Sequence, residues 1–182
     1  MRRPRKSPPR TFDRRLYQLI NRLPHTAAGD RRLSLLSDLG KGAGWVGVSA
    51  CLELLGGPRG RRAGISATVS MLAAIGLSQG LLKGMLKRRR PFASEIFAKL
   101  TVVVGPEGTD PSFPSGHASG SFAAAASLAA FYPRQAPALL ATAAAVGLSR
   151  VYLGHHFPSD VIAGAALGTG VGLLGARLGD SV

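Results

Sequence analysis

Three short polar clusters carry the residue types that could do chemistry in this chain. The last, SRVYLGHHFPSD (Ser149–Asp160), holds Arg150, His155, His156 and Asp160. A carboxylate four residues after a histidine can hold one ring nitrogen and leave the other free to react. The middle cluster, PSGH (Pro114–His117), sets a histidine in the first turn of an apolar, small-residue segment. Serine caps helices, but a helix start also offers backbone N–H groups and a positive dipole end, which bind anions. Gly116 would let an anion approach the backbone closely. The first cluster, KGMLKRRRP (Lys83–Pro91), spaces Lys83, Lys87 and Arg90 at i, i+4 and i+7, one stripe near a helix end.

Each cluster also has an ordinary explanation. Basic residues flank membrane helices without needing a substrate, and Ser115 or Asp160 can simply cap a helix. Two histidines and an aspartate are also reasonable metal ligands, yet Lys83, Arg90 and Arg150 would repel a cation from the same space. No metal site and no cofactor are expected. Taken together, the clusters supply fixed cations, a helix N-terminus, two histidines and one carboxylate. That set meets the needs of metal-free phosphoryl transfer: cations on the phosphate oxygens, one histidine attacking, the other handling the leaving group's proton.

The elements between the clusters must bring them together. Ile65–Leu82, Ala118–Tyr132, Gln135–Ser149 and Val161–Ala176 carry no charge, and Gly42–Leu52 is a shorter run of the same kind. A bilayer crossing needs roughly 20 mainly apolar residues, or as few as about 17. The runs sit near that limit and are rich in Ala and Gly. Gly164, Gly168 and Gly172 recur every four residues, a face that lets helices approach closely. The spacing predicts hydrophobic helices over about Leu33–Leu55, Ala63–Arg89, Ser115–Phe131, Pro137–Leu153 and Ser159–Leu178. Phe12, Leu16, Leu19, Ile20 and Leu23 predict a short amphipathic helix over Phe12–Leu23, lying on the membrane surface. The expected fold is therefore all-α: a membrane-embedded bundle of about five transmembrane helices plus an N-terminal amphipathic helix. Counting crossings puts all three clusters at one face. Lys83, Arg90, Ser115, Gly116, His117, Arg150, His156 and Asp160 would meet there.

At 182 residues the chain suits one domain. It divides into a disordered basic arm over 1–11, the amphipathic helix and a linker over 12–32, and a helical-bundle domain over 33–182. Its 23 Lys+Arg against 9 Asp+Glu fit an anionic membrane surface or a phosphorylated substrate. With few aromatics and no basic run interleaved with stacking residues, nucleic acid is not an expected partner. Cys51 is alone, so no intrachain disulfide forms. MRRPRKSPPR lacks a following apolar stretch and does not resemble a cleavable signal peptide. Oligomeric state is not encoded in any readable motif.

The clusters together resemble the type 2 phosphatidic acid phosphatase superfamily, which includes vanadium haloperoxidases and class A acid phosphatases. Its three-part signature, K-x6-RP, PSGH and SR-x5-H-x3-D, matches Lys83 to Pro91, Pro114 to His117, and Ser149 to Asp160. The resemblance covers roughly Ala63 to the C-terminus. It implies that His156 is the nucleophile, forming a phosphohistidine, with Asp160 orienting its ring. His117 would protonate the leaving alcohol and then activate water. Lys83, Arg90, Arg150, Ser115 and Gly116 would bind the phosphoryl oxygens. His155, Lys87, Arg88 and Arg89 match no signature position. The implied activity is hydrolysis of a lipid phosphate: phosphatidic acid, phosphatidylglycerol phosphate, a polyprenyl phosphate or diphosphate, or a prenyl-linked phosphosugar. A vanadate-dependent haloperoxidase and a catalytically silent membrane scaffold are the competing readings. Membrane members often have six spanning helices against the five expected here. Basic residues concentrate on the site's side, in Met1–Arg32 and Lys87–Arg90, so the positive-inside tendency places the site in the cytoplasm.

Overall fold

The computed structural model describes residues 12–94 and 97–180. The basic arm expected over 1–11 lies outside the described residues. All regular structure among those described is helical. The elements are α1 (Phe12–Asn21), α2 (Ala27–Asp38), α3 (Gly44–Leu55), α4 (Gly57–Gly76), α5 (Lys83–Leu86), α6 (Gly116–Phe131), α7 (Ala136–Tyr152) and α8 (Pro158–Asp180). Wide, π-helical turns at Leu39–Ala43 and Leu77–Leu82 join α2 to α3 and α4 to α5.

The centre is α6. Its sequence, GHASGSFAAAASLAAF, has no polar stripe because it has no solvent face. A helix apolar all round is a buried one, and α4, α7 and α8 pack around it. Small side chains make that packing close. A Cβ at Gly164, Gly168 or Gly172 would run into the carbonyl oxygens of Ser115, Ser119 and Ala123, so α8 lies directly on the α6 backbone. The close-approach face expected from the glycine spacing is used here. Trp45, Met71, Leu128 and Phe131 form a buried core cluster.

The outer surface is apolar. Leu72, Leu81, Leu148, Ile162, Leu174 and Leu178 all point outward and are exposed. Among the described residues, two helical runs, Gly57–Leu86 and Pro158–Gly179, are long and apolar enough to cross a membrane. The other hydrophobic helices are shorter: α6 with 16 residues and α7 with 17 are about 24 and 26 Å long.

Three expectations change. The helix expected from Leu33 starts at Ala27, where Thr26 accepts the Gly29 N–H through its side chain at 3.1 Å. The helix expected to reach Arg89 ends at Leu86, because Lys87 is left-handed (φ 39°). Lys87 and Arg90 therefore do not continue a helical stripe from Lys83. Finally, α1 is not simply laid on the surface. Its buried face is Tyr17 and Asn21, while Phe12, Leu19 and Leu23 are exposed. Tyr17 packs with Phe97 and Phe157. Asn21 donates to the carbonyls of Val102 and Tyr152, both at 2.8 Å, and accepts the Val102 N–H at 2.9 Å. That face ties α1 to the 87–115 loop and to the turn between α7 and α8. Gly154 forms that turn at φ 85°, a conformation suited to glycine, with the Val102 carbonyl where a Cβ would stand.

Candidate active site

Chain topology collects the three clusters at one end of the bundle. Lys83 and Arg90 follow the π-helical turn after α4; Ser115 to His117 start α6; Arg150 ends α7; His156 lies in the turn to α8; and Asp160 is in the first turn of α8. The second and third clusters are joined through the backbone, the Ser115 N–H donating to the Asp160 carbonyl at 3.0 Å. A cavity of about 250 Å³ opens at this end, lined among others by Asp38, Lys41, Arg90, His117, Arg150 and His155. Lys83 and His156 do not line it: both are buried, 4% and 2% exposed, and His156 meets its edge through Arg90, whose Nη1 is 3.5 Å from Nε2. A larger cavity of about 600 Å³ lies at the opposite end, between Arg59, Arg62 and Arg177, and holds none of these residues.

His156 has its two ring nitrogens in different surroundings. Nδ1 faces the Asp160 Oδ2 at 3.6 Å, an ion-pair separation slightly too long for a hydrogen bond, and has no other partner. Nε2 faces the Arg90 Nη1 at 3.5 Å. Burial, with Arg90 and Arg150 adding to it and Asp160 opposing, lowers the His156 pKa to about 4. The ring is therefore neutral at pH 7, with a lone pair to offer, as a nucleophile requires. Asp160 is fully buried; its Oδ2 also accepts the Phe157 N–H at 2.8 Å.

Arg90 donates through Nη1 to the His155 carbonyl at 3.2 Å. Its Nε and Nη2 go to the Asp110 carbonyl (2.9 Å) and Oδ1 (2.8 Å). The other Asp110 carboxylate oxygen pairs with Lys83. Burial acts to raise the Asp110 pKa, but the hydrogen bonds and charges of Lys83 and Arg90 outweigh it and hold the carboxyl below its usual range. Arg150 donates to Ser37 Oγ at 2.9 Å, while its buried Nε has no partner.

The Ser115 hydroxyl caps α6, accepting the Ala118 N–H at 3.4 Å. At Gly116 the nearest atom to a Cβ would be the Gln79 side-chain amide, 2.8 Å away, the end of a flexible side chain that can shift, so packing alone does not demand glycine there. His155 lines the cavity, but its ring is already engaged, with Nε2 2.9 Å from the Val104 carbonyl and an edge-on contact to Phe92. Its pKa falls to about 4, chiefly through burial.

Sequence reasoning missed Asp110, Lys41, Asp38 and Ser37 on the cavity side, and Arg88, Asp13 and Ser159 behind Asp160. Lys41 reaches the cavity because Gly42 breaks the helix beside it. None of the seven belongs to a motif, and their partners lie far away in sequence.

An all-helical bundle with a buried, neutral histidine between an arginine and a carboxylate has the parts that phosphoryl transfer uses. The PAP2 superfamily pattern matches residues 64–180, and the chain belongs to that superfamily. Over 92% of its length it is 34% identical to an undecaprenyl-diphosphatase of Sulfolobus acidocaldarius, covering 78% of that protein. It is 37% identical to a decaprenylphosphoryl-5-phosphoribose phosphatase of Mycolicibacterium smegmatis, over 78% of this chain and 72% of that one. The fold matches the crystal structure of a transmembrane PAP2 type phosphatidylglycerolphosphate phosphatase from Bacillus subtilis. That match has a TM-score of 0.68 and 20% identity, over 92% of this chain and 86% of the other. The chain is a phosphoric-ester hydrolase.

Proposed function

We propose that the protein is a multi-pass membrane enzyme that removes the terminal phosphate from a polyprenyl diphosphate through a phosphohistidine on His156. The observation that carries the mechanism is the His156 ring, neutral and buried, with Nε2 beside Arg90 and Nδ1 toward Asp160. In the first step Nε2 attacks phosphorus and the bond from phosphorus to the bridging oxygen breaks. His117 gives its proton to that oxygen, and the lipid monophosphate leaves. The imidazole becomes cationic, and Nδ1–H then donates to Asp160. In the second step His117 takes a proton from water, the hydroxide attacks phosphorus, the P–N bond breaks and inorganic phosphate leaves. Lys83, Arg90 and Arg150 stabilise the charge on the non-bridging oxygens.

Two observations favour a diphosphate over a monoester. A relative 34% identical over 92% of this chain and 78% of its own length is an undecaprenyl-diphosphatase. Lys41 also lines the cavity on the His117 side, where the departing phosphate of a diphosphate carries its charge. The phosphoribose phosphatase relative favours a second reading, a prenyl-linked phosphosugar monoester.

The test is phosphate release by detergent-purified protein against phosphatidic acid, phosphatidylglycerol phosphate, polyprenyl mono- and diphosphates and a prenyl phosphosugar. The diphosphate should give the highest kcat/KM, and His156→Ala should lose at least about a thousandfold, the scale for removing a nucleophile. A preference for the phosphosugar would reject the substrate class, and normal turnover by His156→Ala would reject the mechanism.

A further inference from the structure

The helix end that carries Lys83 and Arg90 also carries Arg88, which lies outside the signature and reads at first as one of several basic residues flanking a membrane helix. Its geometry differs from that of an anchor. The left-handed Lys87 turns the chain out of α5, and the Ser112 N–H holds the Arg88 carbonyl at 2.8 Å. The guanidinium points inward, 4.4 Å above the centre of the Phe157 ring. Its Nη1 donates to Asp160 Oδ1 at 2.7 Å and to Ser159 Oγ at 2.6 Å, and its Nη2 donates to Asp13 Oδ2 at 2.7 Å. Asp13, in the first turn of α1, closes the network from the other side: it accepts the Ser159 N–H at 2.9 Å and the Ser159 hydroxyl at 2.7 Å.

Asp160 needs such a partner. It is a fully buried carboxylate beside a neutral imidazole, and a buried charge without a counter-ion is strongly unfavourable. The other cations of the site are engaged elsewhere: Lys83 and Arg90 hold Asp110, and Arg150 holds Ser37. Among the described residues, Arg88 is the cation in contact with Asp160. It occupies Oδ1, and the Phe157 N–H holds Oδ2, which faces His156. The carboxylate cannot turn without breaking one of these bonds.

We propose that Arg88 is a positioning residue for the reaction. With Asp13 and Ser159 it locks the Asp160 carboxylate so that Oδ2 meets Nδ1–H when His156 becomes cationic. The seating of α1 on the catalytic turn is thereby coupled to the nucleophile. The inference rests on the reading of His156 as nucleophile. Arg88 does not line the cavity that holds His117 and Arg150; it borders a neighbouring cavity of about 460 Å³ with Arg90 and Asp110, but its guanidinium is bonded to Asp160, Ser159 and Asp13, so its effect falls on turnover more than on substrate affinity. Lysine can keep the charge, but its single ammonium cannot reproduce a planar fork spanning three partners.

The experiment compares wild type, Arg88→Met, Arg88→Lys and Asp13→Asn in detergent with the best lipid of the panel, with orthovanadate as inhibitor. Arg88→Met should lower kcat by at least about tenfold, with KM and the orthovanadate Ki within about twofold of wild type. Arg88→Lys should recover part of the loss. Asp13→Asn should lose less than Arg88→Met and add little in its background, the mark of residues acting as a unit. A wild-type kcat in Arg88→Met overturns the inference, as does a loss confined to KM and the orthovanadate Ki, which would put Arg88 on the phosphate. Should Arg88→Met fail to fold, wild-type kcat in both Arg88→Lys and Asp13→Asn is the overturning result. An inactive wild type across the whole panel defeats the functional reading itself, and this inference with it.

Discussion

At the scale of single residues, Asp110 is the group with most influence on how a phosphoryl group enters. Its carboxylate pairs with Lys83 and Arg90, the two cations that the signature assigns to phosphate. An arriving phosphate must compete for both. Asp110 is nearly half exposed, so the competition is worth only about 1 kcal/mol, or roughly fivefold in affinity. Asp110→Asn keeps the shape and removes the charge. It should lower the Ki for orthovanadate about fivefold; a raised Ki would mean that Asp110 holds the cations in place for the substrate. The signature residues themselves were legible from the three-part motif and not from helix geometry: the chain leaves the helix at Lys87, between Lys83 and Arg90, and His156 stands in the turn before α8. Asp110 and Arg88 were not legible. Asp110 meets partners 27 and 20 residues away, and Arg88 meets Asp160 and Asp13 at 72 and 75. Nothing local marks such contacts.

At the scale of elements, the hydrophobic runs located the helices well and their ends less well. The runs show where apolar surface must be buried, which is why α6, α7 and α8 fall close to the uncharged runs, whereas α4 starts at Gly57, six residues before the expected Ala63. Ends depend on single backbone choices. Lys87 leaves the helix at φ 39°, and no residue type there announces it, since Gly or Asn would be the usual signal. The same departure frees Arg88 from the helix surface and lets it turn inward to Asp160. The break at Gly42 works likewise, bringing Lys41 to the cavity from a segment expected to be a plain spanning helix. For α1, amphipathicity was legible but its direction was not. Tyr17 and Asn21 are a polar-tipped pair on the buried side, satisfied by Thr101, Val102 and Tyr152, which only the folded chain brings near.

At the scale of the whole molecule, the bundle has one end built for chemistry and an apolar flank that suits a bilayer, so a lipid substrate can keep its chain among lipids while its phosphate reaches His156. The basic residues around the chemical end, including Arg14, Arg15, Arg31 and Arg32, outnumber those near Arg59, Arg61, Arg62, Arg134 and Arg177. On that asymmetry we propose that the site faces the cytoplasm. Ser112 is fully buried and unsuited to a reporter. Thr109 is exposed beside the cavity mouth. A Thr109→Cys variant in a Cys51→Ser background should resist an impermeant thiol reagent in intact cells and react after permeabilisation; ready labelling of intact cells would reverse the orientation. The central claim, covalent catalysis by His156, has a more direct test. Polyprenyl diphosphate labelled in its terminal phosphate is mixed with enzyme and quenched within milliseconds in alkaline detergent, where a phosphohistidine survives. Wild-type protein should carry an acid-labile label and His156→Ala none. Turnover without any protein-bound label, or a label that persists in His156→Ala, would contradict the account.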